Sequence, residues 1–435
     1  MAGFDPETEA LIDRLQRVAF GYFETYANPE NGLIADNSTH GAPCSIAATG
    51  FGLTALPVGV ERSWISRKAA LRQALAAARF FHSAQQSTEP DRISHRGFFY
   101  HFLDMQTGER AWNSEISSID TAILCLGLAT AAAYFDGDRA EERELRDRAN
   151  DIVANVEWSW LVDRAGRLRM GWKPEVGFLK PRWTGYSEAL LIFALGLGAQ
   201  RHRLHPEIYD KWRAGFTWLG DAANGYVAAG PLFIHLFGHA WLDLTGAPTG
   251  LPPSGPLPAG MGINGIDYVE NSRRAIAAQR AYAAANPGGF DGYSDNVWGL
   301  SACPGIGRRC TLHDGRRISV GAYVARGVPY GPDDGTLVPW AALACLPLTP
   351  TEAISGLHAV LSQYPRVLEH GRFIDSFNPS IRGRHGDGWV SPRSTGLDQG
   401  LIVAMAENAR SGLIHRLTAK SPIIARGLAA IRKQG

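Results

Sequence analysis

The sequence predicts an all-α protein whose helices can close as two concentric rings of six. Helical periodicity of the apolar residues dominates the chain and defines about a dozen helices. Long stretches rich in glycine, proline and aromatic residues separate several of them. Loops of that length are usually functional or disordered, and we predict that these are functional. The chain has no fixed repeat period, and a helical solenoid remains the alternative to a closed ring. In the closed form, loops at one rim would cover the N-termini of the inner helices as a cleft.

The predicted helices are apolar on one side and follow one another as antiparallel hairpins. In chain order they cover residues 6–27, 45–58, 64–84, 115–134, 139–160, 186–199, 206–220, 231–244, 265–285, 336–346, 350–364 and 397–417. The long irregular stretches are 86–114, 161–185, 245–264, 287–335 and 365–396. Short strand pairs are expected within them, at 97–103 and 168–172. The helices on either side of the Pro- and Gly-rich stretch 247–260 are alike in character, so residues 1–435 are predicted to form a single domain.

Composition restricts the classes of function. With 43 Lys and Arg against 42 Asp and Glu, the chain has no basic field for nucleic acid or an anionic membrane. The 12 Trp and 13 Tyr suit stacking on sugar rings, and they suit core packing equally.

The N-terminus lacks a secretory signal and no run is long and apolar enough to span a bilayer. These features predict a cytoplasmic protein, or a periplasmic one if an export signal has been removed.

The five cysteines are odd in number and mostly far apart, which argues against a disulfide framework. Only Cys303 and Cys310 could close a short loop, and the spacing of the five excludes a zinc ribbon.

Glu188 is the first candidate for catalysis. It lies where a loop containing Trp183 and Tyr186 enters the uncharged apolar run 189–198. A Glu at the start of a helix commonly meets the helix dipole, which lowers its pKa. Here the apolar neighbours act in the opposite direction, because desolvation raises the pKa of a carboxyl. A proton donor at neutral pH needs that upward shift.

Three further carboxylates are candidates for the same chemistry. Asp398 also lies where a Gly-containing loop becomes an apolar helix, and helix capping is its alternative role. With Glu188 it could serve as acid and base, or as acid and nucleophile, in cleaving an acetal. Glu115 could satisfy the first-turn amides of its helix. Asp120 lies on a face expected to be buried, where an ion pair with an Arg is the alternative to a cleft carboxylate.

His235, His239 and Asp243 are spaced by four on one helix, a spacing that can present ligands to a metal. The Glu of the HExxH motif is missing, since Leu236 stands in its place. We therefore predict no metal and expect these side chains to form polar contacts on an inner face near Trp241.

Asn271 and Arg274 could share one face of a helix, for which a solvated charged face is the alternative. The glycines Gly260, Gly262 and Gly265 match a dinucleotide fingerprint, but no predicted strand precedes them, so we discount a nucleotide site. Neither a P-loop nor a GxSxG elbow is present.

Seven segments of the chain, taken together and in order, match the pattern of one known family. They are residues 45–53, 115–121, 183–189, 231–235, 239–243, 296–300 and 397–400. With them, the chain resembles the glycoamylase-like glycoside hydrolases, which include bacterial endo-β-1,2-glucanases and relatives acting on cyclic β-1,2-glucans. The resemblance covers nearly the whole chain and implies an (α/α)6 barrel.

The resemblance also implies roles for individual residues. The family's general acid falls on Glu188, Asp398 matches an active-site carboxylate, and Glu115 and Asp120 lie in the segment lining the other side of the cleft. Some relatives invert the anomeric centre, with a water activated through a substrate hydroxyl, while others retain it and transglycosylate. Where many relatives read WGLTASD, residues 298–304 read WGLSACP, so an expected Asp is absent and the following insertion is unusual.

We therefore predict a glycoside hydrolase that cleaves β-linked glucan, β-1,2-glucan first, by general acid/base catalysis. The predicted partner is an oligo- or polysaccharide, and the prediction requires no cofactor, metal, nucleic acid or membrane. Alternatives are an exo-acting or transglycosylating enzyme, a non-catalytic glucan-binding protein, and a sugar epimerase or polysaccharide lyase in which His235, His239 and Arg274 transfer protons. The predicted substrate-binding residues are Trp112, Trp172, Trp183, Tyr186, His235, His239, Trp241, Asn271, Arg274 and Trp298.

Overall fold

The computed structural model describes residues 3–85, 93–220, 224–250, 265–383 and 388–433. Two glycines of the discounted dinucleotide pattern, Gly260 and Gly262, lie outside these residues, as does most of the stretch 247–260. The helices are α1 (Pro6–Thr25), α2 (Ile46–Glu61), α3 (Arg67–Gln85), α4 (Ser118–Tyr134), α5 (Ala140–Ala154), α6 (Leu190–Gly198), α7 (Pro206–Arg213), α8 (Ile234–Trp241), α9 (Tyr268–Ala285), α10 (Ala341–Ala344), α11 (Pro350–Gln363), α12 (Gly396–Arg410), α13 (Leu413–Ala419) and α14 (Pro422–Lys433). Two 3-10 helices cover Trp158–Leu161 and Pro365–Gly371.

The even-numbered helices from α2 to α12 form an inner ring. Along this ring α2 contacts α4, α4 contacts α6, α6 contacts α8, α8 contacts α12, and α12 contacts both α10 and α2. Five other helices pack outside it: α1 lies against α2 and α12, α3 against α2 and α4, α5 against α4, α9 against α8, and α11 against α10. Because α12 returns to α2, the ring is closed, and the solenoid alternative is wrong.

The sequence explains which helices lie inside. Every residue of α2 from Ile46 to Gly59 is buried, and so is every residue of α6. A helix that is apolar on all sides has no face for solvent and must be surrounded by protein. The outer helices α3 and α5 have one buried face and charged outer positions. The helical class and the two rings predicted from periodicity are therefore confirmed.

The C-terminal end of the chain differs from the prediction. The helix expected over 397–417 is interrupted at Gly412, whose φ of 69° is left-handed and separates α12 from α13. The last helix, α14, was not predicted. It packs on α6 so closely that a Cβ on Gly427 would lie 1.7 Å from the carbonyl oxygen of Ala194.

Short antiparallel strands lie in the loops that connect the helices. The expected strand region 97–103 contains two of them, and the region 168–172 overlaps a third, which extends to Lys173. The strands are β1 (Cys44–Ser45), β2 (Ser94–His95), β3 (Phe98–Phe99), β4 (Phe102–Leu103), β5 (Ile116–Ser117), β6 (Gly171–Lys173), β7 (Gly177–Phe178), β8 (Trp218–Leu219), β9 (Tyr226–Val227), β10 (Ala302–Pro304), β11 (Arg308–Thr311), β12 (Arg317–Val320), β13 (Tyr323–Ala325), β14 (Phe377–Asn378) and β15 (Trp389–Val390).

The pairing of these strands links distant loops at one rim of the ring. β1 pairs with β4, β5 with β6, β6 with β7, β10 with β13, and β14 with β15. All five cysteines are free, including Cys303 and Cys310. Within the described ranges, no helix is both long enough and apolar enough to cross a bilayer.

Candidate active site

One cavity of about 550 Å³ lies where the inner helices begin. All six inner helices contribute to its wall, either from their first turn or from the residues just before it. We call it the rim cavity. The contributing residues, from α2 to α12, are Ser45, Asp120, Glu188, Phe233, Trp340 and Asp398. Since the inner helices alternate with outer ones, they run in the same direction and bring their N-termini to one rim, as the sequence predicted.

A larger groove of about 870 Å³ lies on the outer surface along α3. Its acidic side chains, Glu30 and Glu141, are exposed, and its cations include Lys68 and Arg72. Both carboxyls are open to bulk water, so this groove lacks the buried acid that acetal cleavage needs. The rim cavity has such acids and is the candidate active site.

Glu188 lies in the turn just before α6 and is half-buried on the wall of the rim cavity. Burial raises the pKa of Glu188 to about 7, and the nearby Asp120 carboxylate adds to the shift. The helix dipole acts in the opposite direction, but burial outweighs it. The upward direction expected from the apolar sequence around Glu188 is confirmed. At neutral pH this carboxyl is therefore protonated in part of the molecules and can donate that proton.

Asp398 lies in the first turn of α12, also on the cavity wall. Burial raises the pKa of Asp398 to about 7, although hydrogen bonding by Thr395 opposes the shift. Behind it, Asp375 is fully buried, with Arg393 Nε 3.5 Å from its Oδ2. Burial and the neighbouring Asp398 raise the pKa of Asp375 well above its usual range. The two carboxyls therefore share a site in which both cannot readily be charged.

Asp120 is held in place by two partners. Ser117, the N-cap of α4, donates its hydroxyl to Asp120 Oδ2 at 2.5 Å. His101 Nε2 lies 3.6 Å from Asp120 Oδ1, and His101 Nδ1 lies 3.0 Å from Glu115 Oε1. Burial opposes protonation of His101, but Asp120, Glu115 and Asp36 outweigh it and raise its pKa to about 9. Asp120 thus has a histidine partner in place of the Arg considered from sequence.

Glu115 does not satisfy the first-turn amides of α4, because the helix begins three residues later, at Ser118. It lies behind His101, and that hydrogen bond lowers the pKa of Glu115 despite partial burial. Of the four predicted catalytic residues, three line the rim cavity directly. Glu115 reaches it only through His101.

Among the predicted sugar-stacking residues, Trp112 lines the rim cavity. The indole of Trp183 is buried and donates to Ser118 Oγ at 2.9 Å, and that of Trp241 is buried and donates to Thr54 Oγ1 at 2.8 Å. These two rings are structural, since their flat faces are covered by protein.

The other predicted aromatic residues also lie away from the cavity wall. Tyr186 is buried and stacks on Tyr268, with ring centroids 5.6 Å apart. Trp172 stacks on His95 at 4.6 Å in an outer aromatic cluster, and Trp298 is buried. Aromatic content alone does not distinguish such packing from a binding wall.

The polar candidates on α8 and α9 have structural partners. His239 Nε2 lies 2.9 Å from Ser272 Oγ, and His235 Nε2 lies 3.3 Å from the Ala229 carbonyl. Burial lowers the pKa of His235 to about 4 and that of His239 to about 3, so both are neutral. In the part of the chain that the structure describes, no group of three His, Cys, Asp or Glu side chains is placed to hold a metal ion.

Asn271 and Arg274 stabilise the edge of α9. The Asn271 amide accepts from the Val227 backbone at 2.7 Å and joins α9 to β9. Arg274 donates to Glu270 and to the Gly225 carbonyl, each at 2.8 Å. The expectation that these two residues bind substrate is therefore not met at the rim cavity.

Sequence reasoning missed several residues of the cavity wall. Phe233 and Trp340 directly precede the observed helices α8 and α10, and they lie inside the longer helices predicted over 231–244 and 336–346. Several others lie on the loops and short strands between helices, which only the closed ring brings together. They include Asp36, Asn37, His101, Phe102, Tyr323 and Arg393.

A comparison with protein families decides the classification. The glycoamylase family profile matches residues 180–422, more than half of the chain. This chain belongs to the glycoamylase family. The resemblance found in the sequence is thus confirmed, and the matched region contains both Glu188 and Asp398.

Solved structures with similar folds agree with this family assignment. A β-1,2-glucanase from Parabacteroides distasonis has a TM-score of 0.81 at 24% identity, covering 98% of this chain and 60% of that one. An endo-β-1,2-glucanase from Chitinophaga pinensis, in complex with sophorotriose and glucose, has a TM-score of 0.80 at 23% identity, covering 98% of each chain. At these identities the likeness shows the fold, which is the (α/α)6 barrel.

A curated relative of this glycoamylase-family chain is the exo β-1,2-glucooligosaccharide sophorohydrolase (non-reducing end) of Parabacteroides distasonis. The two are 25% identical over 460 aligned residues, which cover 98% of this chain. The chain spans 58% of the relative's length.

Proposed function

We propose that this chain is a glycoside hydrolase that cleaves β-1,2-linked glucan, with Glu188 as general acid. The names of its relatives support this substrate: one is a β-1,2-glucooligosaccharide sophorohydrolase, and another is an endo-β-1,2-glucanase in complex with sophorotriose. Both act on or bind β-1,2-linked glucose units. The proposed partner of this chain is accordingly an oligo- or polysaccharide of that class.

The observation that carries the proposal is a desolvated carboxyl on a cavity wall that also contains other carboxylates. Burial raises the pKa of Glu188 to about 7, so the group is protonated in part of the molecules at neutral pH. Such an acid can donate its proton to the glycosidic oxygen as the bond to the anomeric carbon breaks. The leaving sugar departs as an alcohol, and Glu188 becomes a carboxylate.

Asp398 is the proposed second carboxylate. With a pKa of about 7, it can accept a proton from an attacking water at neutral pH, or it can attack the anomeric carbon itself. The first role inverts the anomeric configuration and the second retains it. Proton NMR of freshly released product distinguishes the two roles, because the first anomer formed reports the stereochemistry.

The epimerase or lyase alternative receives less support from the geometry. It needs proton transfer by His235, His239 and Arg274, yet the two histidines are buried and neutral and Arg274 is paired with Glu270. No specific observation favours this second function over hydrolysis.

The test compares wild type with Glu188→Gln on glucans that differ only in linkage, analysed by thin-layer chromatography. We expect wild type to release products with new reducing ends and no unsaturated sugar from β-1,2-glucan. Loss of the acid should reduce turnover by roughly 10²–10⁴-fold. Glu144→Gln is a matched control, since Glu144 pairs with Arg79 on the outer surface. Near wild-type turnover by Glu188→Gln on every glucan that wild type cleaves would refute the proposal.

A further inference from the structure

Two large aromatic side chains at the rim cavity are open to solvent. Trp112 and Tyr323 each expose 67% of their surface, and both border the cavity. Large apolar groups are normally buried, and exposed ones beside a cavity indicate a surface that binds a ligand. The flat, electron-rich faces of such rings suit the apolar faces of sugar rings.

The turn that presents Trp112 is strained and firmly held. Trp112 has a φ of 57° and the next residue, Asn113, a φ of 48°, both in the left-handed region that residues with a Cβ disfavour. Arg110 Nε donates to the Ser114 carbonyl at 2.6 Å, and Lys173 Nζ donates to the Asn113 carbonyl at 2.8 Å. Strain maintained by surrounding contacts is typical of functional sites. This turn fixes the indole before any ligand arrives.

A continuous wall of rings connects Trp112 with the carboxylates. The Trp112 ring lies 4.9 Å from that of Phe102, and the Phe102 ring stacks on His101 at 3.8 Å with an interplanar angle of 15°. His101 in turn lies 3.6 Å from Asp120. A sugar chain cleaved beside Asp120 therefore has an aromatic surface to follow outward to Trp112.

Tyr323 comes from a different loop, which is also rigid. It lies on β13, opposite Pro304 of β10. The fully buried Arg326 holds this hairpin by donating to both Asp334 oxygens, at 2.6 and 2.7 Å, and to the Cys303 carbonyl at 2.7 Å. The partner strand β10, Ala302–Pro304, includes the end of the WGLSACP segment, where the sequence departs from the family's pattern.

We propose that Trp112 and Tyr323 form a sugar-binding subsite at the mouth of the rim cavity, which holds a glucosyl unit beyond the bond that is cleaved. This inference rests on the proposed hydrolysis of β-1,2-glucan. The subsite makes turnover depend on chain length, because only substrates long enough to reach it gain the stacking interaction.

The kinetic test measures kcat/KM on β-1,2-linked glucooligosaccharides of increasing length. Trp112→Ala and Tyr323→Ala should each lose roughly tenfold on long substrates and much less on the shortest one cleaved. Tyr323→Phe should retain the activity of wild type, since it keeps the ring. Tyr330→Ala is the matched control, because Tyr330 is 68% exposed and lies outside the rim cavity.

The binding test uses Glu188→Gln, in which cleavage does not consume the ligand. Titration with a long β-1,2-glucooligosaccharide should change tryptophan fluorescence, and Trp112→Ala in that background should weaken binding and reduce the signal. Equal losses at every chain length, or no loss, would overturn the subsite while leaving the hydrolase intact. Absence of binding to Glu188→Gln together with absence of turnover by wild type would overturn both.

Discussion

His101 Nε2 lies 3.6 Å from Asp120 Oδ1, and the other nitrogen of the same ring lies 3.0 Å from Glu115. The ring therefore bridges a carboxylate on the cavity wall to one behind it. Burial disfavours the imidazolium, but the surrounding carboxylates raise the pKa of His101 to about 9. His101 thus supplies a positive charge among three acidic groups, Asp120, Glu115 and Asp36, over the whole neutral range, and it orients Asp120 toward the cavity.

This bridge predicts a pH window for stability. The pKa of His101 is raised on folding, so its contribution is complete below the ordinary histidine pKa of about 6.5 and is lost as pH rises through about 9. His101→Gln should lower the free energy of unfolding by on the order of 2 kcal/mol at pH 6, with a smaller loss at pH 10. Urea denaturation at both pH values measures the loss of unfolding free energy, and His40→Gln, a substitution at an exposed histidine, is the control. A loss that is the same at pH 6 and pH 10 would exclude the charged bridge.

The acidity of Glu188 predicts the alkaline limb of activity. Above a pKa of about 7 the general acid is progressively lost, so kcat/KM should fall tenfold per pH unit. Asp398, with its own pKa raised to about 7, should produce the acid limb, and the two together give a bell centred near neutrality. Initial rates on β-1,2-glucan from pH 4 to 10 test this. Activity that continues to rise up to pH 9 would contradict the assignment of the acid.

The same desolvation predicts that Glu188 destabilises the folded chain at high pH. Its pKa is raised on folding, so the native state binds more protons than the unfolded state between about pH 4.5 and 7, and stability falls across that interval. Glu188→Gln should therefore raise Tm at pH 8 and leave it unchanged at pH 4, where both states are protonated. Differential scanning fluorimetry measures the shift, and Glu144→Gln is the surface control. A lower Tm at pH 8 would indicate that Glu188 has a stabilising role.

Much of this architecture was predictable because the sequences of the inner helices are almost free of charge, which leaves little doubt that they are buried. Runs without charge, such as the one that follows Glu188, can only be buried, and the closed ring then places their N-termini at one rim. The wall formed by loops was not predictable in the same way. His101 and Tyr323 lie in stretches without periodicity, and pairing between distant strands positions them. The structural roles of Trp183 and Trp241 follow from burial of their rings by protein and from a hydroxyl that accepts each indole N–H. Composition reveals neither.

Closure of the ring also depends on a buried ion pair between α2 and α12. Arg62, at the C-terminal end of α2, donates from Nε and Nη2 to the two oxygens of Glu407, both at 2.9 Å. The Glu407 side chain is 2% exposed and also accepts from Gln16 of α1 at 3.2 Å. Three helices from the two ends of the chain therefore meet at one carboxylate. Removing its cation leaves a buried charge without its main partner.

Arg62→Met should consequently cost about 3–5 kcal/mol of unfolding free energy. The double variant Arg62→Met/Glu407→Leu should recover most of that loss, because it removes the stranded carboxylate along with its partner. Arg79→Met, which breaks an exposed pair with Glu144, should cost less than about 1 kcal/mol. Chemical denaturation gives the three values, and kcat of the folded variants should match wild type because Arg62 lies away from the rim cavity. If the single and double variants were equally unstable, the destabilisation would come from lost packing and not from the uncompensated charge.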